Sequence, residues 1–179
     1  MTTHASSNGT FSRRAFVQAV GGTAALTSLG GSLNAALFAG PSPSSAAETA
    51  VTEFYKTLSG KQRGQIVFPF NHELRRRINA NWNITKPEIG QDFYTDKQRT
   101  LIDQVVRGMT SKDGYERIIH QMNDDAGGIE QFSVAVFGTP GEGDFEFELT
   151  GRHLTLRADG NSVDKAAFGG PIIYGHGVD

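Results

Sequence analysis

The residues of this chain that could do acid–base, metal or ligand chemistry are few, and several lie between positions 144 and 176. If Thr150-Gly151 forms a two-residue hairpin loop, Glu148 stands opposite His153, Glu146 opposite Thr155 and Asp144 opposite Arg157. A histidine facing a glutamate can act as a general base, or as a metal ligand held by a carboxylate, which makes His153 and Glu148 the catalytic candidates. The same pair also fits an ordinary cross-strand polar contact. Glu146, His176 between two glycines, and the single Trp82 in an Asn-rich stretch are candidates for binding a ligand. Trp82 can be read either as a plug on the core or as a ring facing a ligand.

Familiar catalytic motifs fail one by one. His72-Glu73-Leu74-Arg75-Arg76 begins like a zincin helix but has no second histidine. The glycines from 138 to 143 precede a strand, so they cannot present a helix start to phosphate. No Gly-x-Ser-x-Gly elbow occurs, and Asp124-Asp125 lacks the alternating oxygen ligands of a calcium loop. With no cysteine there is neither a disulfide framework nor a thiolate site. Arg75-Arg76-Arg77 reads as a solvated stretch too short for a nucleic-acid surface. These motifs assign no cofactor and no metal.

The elements that must position the candidates follow from periodicity. Phe145, Phe147 and Leu149 alternate with Asp144, Glu146 and Glu148, the pattern of a strand with one face in a core and one in water. Under the hairpin above, Leu149, Phe147 and Phe145 meet Arg152, Leu154 and Leu156, and Glu146→Lys is expected to cost little stability. Phe132 to Gly138 supplies a preceding strand. Val51, Phe54, Tyr55 and Leu58 mark a helix, and Ser59 with Gln62 forms a capping box for a second one reaching Val67. Thr95 with Gln98 opens a third helix, and Ser111 caps a fourth that pairs with it as a hairpin. The expected fold is α+β, with N-terminal helices and a helical hairpin packed on one face of an antiparallel β-meander.

Residues 1–47 read as an export leader and linker. Ser12-Arg13-Arg14-Ala15-Phe16-Val17 matches the twin-arginine signal, and the glycine-broken run after it is too weakly apolar for a stable membrane anchor. The expected partner is therefore the twin-arginine export machinery, and the expected location is the periplasm or the exterior. Cleavage after Ala39 or after Ala47 fits, and the latter is the expected site because it removes the Pro41–Ser45 linker as well. Arg13 and Arg14 are the only formal charges before Glu48, so losing the leader takes the net charge from -2 to -4. Residues 48–179 form the single expected domain. Its apolar end, Phe168, Ile172, Ile173 and Tyr174, leads to the expectation that the chain is incomplete at its C-terminal side.

Five ordered blocks also carry a resemblance. Leu58-Ser59 with Gln62-Arg63 and Phe68-Pro69-Phe70, Asn81 to Gly90, Asp113-Gly114-Tyr115, Phe132 to Gly138, and Thr150 to Leu156 together resemble the bacterial family called domain of unknown function 3500. The resemblance runs from about Thr57 to His176. It implies an exported protein, with a further helical portion after Phe168-Gly169-Gly170-Pro171 in longer members, and it brings no assigned activity or catalytic residues. Two function classes fit these observations: an extracytoplasmic, metal-assisted enzyme, or a non-catalytic cell-envelope module binding a sugar or peptide. Changing Arg13→Lys and Arg14→Lys together is expected to hold the protein in the cytoplasm. Cell fractionation checks this, and continued export and processing of the double variant would refute the leader.

Overall fold

The computed structural model describes residues 45–160, 170 and 172–175. Its elements run in the order α1 (Ala46–Thr57), α2 (Gly60–Ile66), β1 (Val67–Phe68), α3 (Asp96–Met109), α4 (Lys112–Ala126), β2 (Ser133–Gly138), β3 (Phe145–Gly151), β4 (Leu154–Gly160) and β5 (Ile172–Tyr174). The fold is α+β, and the sheet order is β1-β2-β3-β4-β5.

Local chemistry sets the helix starts. Both capping boxes form, Ser59 with Gln62 and Thr95 with Gln98, while Ser45 and Ser111 each cap with the hydroxyl alone. α1 begins at Ala46, so Ala47 is already inside the packed domain. A Cβ at Gly108 of α3 would stand 2.7 Å from the Ala47 Cβ, which explains why a glycine sits at this helix crossing. Helix α2 ends at Ile66, one residue short of the expected Val67. Pro69 disfavours helical geometry at Phe68, and Val67 and Phe68 instead pair with Val136 and Phe137 as a parallel edge strand. The sheet is thus antiparallel except at β1.

One face of the sheet meets the helices. Val134, Val136, Phe147, Leu149, Leu156 and Ala158 form a continuous core with Val51, Phe54, Ile102, Val105, Val106 and Met122. The other face is not in water, contrary to the alternation pattern. Ala135 and Phe137 are covered by Phe68 of β1 and by Phe70, Leu74, Trp82 and Ile84, the last four from a largely irregular strap spanning residues 69–85. Glu146, Glu148, Thr150 and Thr155 are buried beneath it.

The β3–β4 register also differs from expectation. Leu149 pairs with Leu156, Glu148 with Arg157 and Thr150 with Thr155, so the loop is Arg152-His153 rather than Thr150-Gly151. Residues sort onto the same two faces in either register, because the registers differ by an even number of positions and a two-residue period cannot tell them apart. Tertiary contacts decide. The Thr150 hydroxyl accepts from the Ile84 amide at 2.8 Å, and a Cβ at Gly151 would meet the Phe132 ring at 2.3 Å. The turn in return places His153 at φ 62°, a left-handed conformation uncommon outside glycine.

Phe147 is fully buried on the helix-facing side, so Phe147→Asp should cost roughly 3–5 kcal/mol from lost packing plus an uncompensated charge. Glu146→Lys is no longer a mild change, since it would set a third cation beside Arg75 and Arg157. It should cost about 3 kcal/mol or more. Chemical denaturation of the two variants checks both values, and a near-native Glu146→Lys would mean that the strap is not seated on the sheet.

Candidate functional site

The chemistry-bearing residues gather on the strap side of β3 and β4. Glu146 lies between two guanidinium groups. Arg75 donates Nη1 to its Oε2 at 2.9 Å, and Arg157 donates Nε to its Oε1 at 2.7 Å, with Nη2 also 2.6 Å from Oε1. These charge-assisted bonds satisfy a carboxylate that could not otherwise be buried. Arg75 comes from a short 3-10 turn, Glu73–Arg76, capped by His72, and its guanidinium also lies 4.0 Å over the Phe70 ring.

Two residues further along β3, Glu148 is in a different situation. It is fully buried, its nearest cation is Arg157 Nε at 4.0 Å, and neither carboxylate oxygen accepts a hydrogen bond among the described residues. Burial pushes its pKa up to about 8; Arg157 and Arg75 pull it down, and the Glu146 charge pushes it further up. At neutral pH the side chain is mainly a carboxylic acid.

Thr155 ties the strap to this face. Its hydroxyl donates to the Asn79 carbonyl at 2.7 Å and accepts from the Trp82 indole at 3.2 Å. Trp82 is half-buried against the Ile84–Ala135–Phe137 cluster, and the Arg77 guanidinium lies 4.6 Å over its ring. Further along, Thr85 donates its hydroxyl to the Val134 carbonyl at 3.0 Å, and Asn81 bridges to Arg152.

Of the sequence candidates, Glu146, Glu148 and Trp82 come together here, and His153 does not. His153 sits in the β3–β4 turn, where its Nδ1 is 3.1 Å from Asp125 Oδ2 of α4 and its ring lies against Tyr174. The expected His153–Glu148 pair is therefore absent, a direct result of the shifted register. His176, Arg13 and Arg14 lie outside the described residues. Sequence reading missed Arg75, taken as solvated with its two neighbours, and assigned Arg157 to Asp144. Only Arg76 and Arg77 of the triplet are exposed. The alternation placed Arg157 on the correct face but could not reveal a strap above it.

The raised pKa of Glu148 gives stability a pH dependence. Between the ordinary value of 4.5 and about 8, the folded chain keeps a proton that the unfolded chain has released, so stability falls as pH rises through this window. The Glu148 contribution changes by about 1.4 kcal/mol per pH unit. Glu148→Gln removes it, so the variant should match the wild type near pH 4.5 and gain on it steadily up to pH 8. Denaturant titrations at several pH values check this, and parallel curves would refute a buried neutral acid.

Residues 41–175 match the family described as "Protein of unknown function (DUF3500)", a span that also takes in α1, N-terminal to the resembling blocks. No curated protein and no solved structure matches the chain. The match covers most of the 179 residues and includes every element that builds the strap, the sheet and the Arg–Glu cluster, and on that basis the chain belongs to the DUF3500 family.

Proposed function

We propose that the protein is exported by the twin-arginine machinery and works in the periplasm or outside the cell as a non-catalytic ligand-binding module, its ligand being received on the polar face beneath the strap. The observation that carries this reading is Glu148. A buried acid whose two oxygens accept no hydrogen bond among the described residues leaves donor and acceptor capacity open, and native structures leave few such groups without a role. Around it stand the hydroxyls of Thr150 and Thr155 and the Arg157 guanidinium, a set suited to the hydroxyls of a sugar or the amides of a peptide. The strap that covers this face is held by a few side-chain bonds, by the apolar contacts of Phe70, Leu74, Trp82 and Ile84, and by one isolated backbone bridge at Asn81.

The metal-assisted reading finds no ligand set among the described residues, where no three His, Asp or Glu side chains converge. Export is supported by the Ser12–Val17 motif and by a domain free of cysteine. Because Ser45 caps α1 and Ala47 is buried, cleavage after Ala39 suits the mature domain better than cleavage after Ala47.

Calorimetry of the full chain against oligosaccharides and peptides should find a saturable ligand. Losing the hydrogen bonds of one buried partner typically costs about 1–3 kcal/mol, so Thr155→Val and Glu148→Gln should each weaken binding by roughly 10-fold or more while circular dichroism stays native. A ligand bound equally well by both variants would place the site elsewhere.

A further inference from the structure

Glu146 and Glu148 have one arginine within reach of both, and the strap supplies the other. We propose that Glu148 is a proton-controlled latch: when it loses its proton, Arg157 is drawn from Glu146 toward Glu148 and residues 70–82 of the strap are released from the polar face.

The geometry gives the latch two arrangements. In the one observed, both guanidiniums serve Glu146, and Glu148 has no hydrogen bond among the described residues, an arrangement that suits its neutral form. If Glu148 ionises, two buried carboxylates share the two guanidiniums. Arg157 already has Nε 4.0 Å from Glu148 Oε2, so a change of rotamer suffices to bring it over. Glu146 is then left with Arg75 alone, and its uncovered oxygen needs water. Water can enter by lifting the strap, whose Arg76, Arg77, Ile78 and Asn79 are already exposed.

The charged groups around Glu148 come from every side of the site. They are Arg157 from β4, Glu146 from its own strand and Arg75 from the strap, while β2 offers the uncharged Ala135 opposite it. Asp159 stands opposite Glu146 across the β3–β4 ladder, and His72 lies against Phe68 and Phe137. With the Glu148 pKa near 8, the strap is closed at neutral and acidic pH and loosens above that value. The bearing of the latch on ligand access rests on the binding reading above, but the latch itself can be followed without a ligand.

Hydrogen exchange of the full chain, corrected for intrinsic rates, tests it. The Arg75 and Arg77 amides, bonded to the His72 and Leu74 carbonyls, report the released part of the strap. Between pH 7 and pH 9 their protection should fall at least 10-fold, with the β2–β3 ladder unchanged. Glu148→Gln should hold them protected throughout, and Arg75→Gln should leave them open at every pH. Trp82, the single tryptophan, gives a second readout in the unmodified chain: its fluorescence should shift with a midpoint near pH 8. A flat wild-type profile, or an equal fall in Glu148→Gln, overturns the latch. A latch without any ligand in calorimetry would remove only the binding reading, and a ligand with a flat profile would remove only the latch.

Discussion

Neutralisation of Glu146 by two arginines is the constraint on which the arrangement depends. A strand that alternates acids with aromatics normally keeps its acidic side in water, and here that side is interior. The burial is possible because Arg157 reaches Glu146 from the next strand and Arg75 reaches it from the strap. Without both, a carboxylate in that position would draw water under the strap and separate it from the sheet. The strap is therefore held as much by charge as by apolar contact, and its apolar contribution among the described residues comes from Phe70, Leu74, Trp82 and Ile84, which join Phe68 of β1 over Ala135 and Phe137.

The two sides of the sheet differ in kind. The helix side is a conventional core in which Phe54, Phe132, Phe145, Phe147 and Met122 are sealed from solvent. The strap side mixes hydroxyls, guanidiniums and carboxylic acids under an irregular cover. One side supplies rigidity, and the other combines a polar surface with a cover whose own backbone hydrogen bonds are few and centre on the short Glu73–Arg76 turn. Segments of that kind open at lower free energy than packed helices and strands.

What could be read from the sequence divides along the same line. Capping boxes at Ser59 and Thr95 were legible because each is closed within four residues. The inward face of β3 was legible because a two-residue period fixes it. The β3–β4 register was not, since an even shift leaves that period intact, and the error moved His153 away from Glu148. The strap was invisible for a different reason: its anchors join Arg75 to Glu146, and Asn79 and Trp82 to Thr155, across most of the domain's length. No local pattern marks Arg75 as different from its two exposed neighbours. The site residues on β3 were thus identified by type and face, and their partners were not.

The parallel pairing of β1 with β2 has a consequence for how the chain acquires its structure. Val67 meets Val136 only after α3 and α4 have been made, so the edge strand cannot form on a nascent chain that has not yet passed β2. The strap waits longer still, because its fixed point on Thr155 belongs to β4 and Arg157, which shares Glu146 with the strap's Arg75, does too. Contacts of such high sequence separation close slowly, after the chain entropy of a long loop has been overcome. Helix α1 can pack on α3 before any strand after β1 is made, but the apolar side chains that α1 and α2 turn toward the sheet, Phe54 and Ile66 among them, stay uncovered until the later strands are in place.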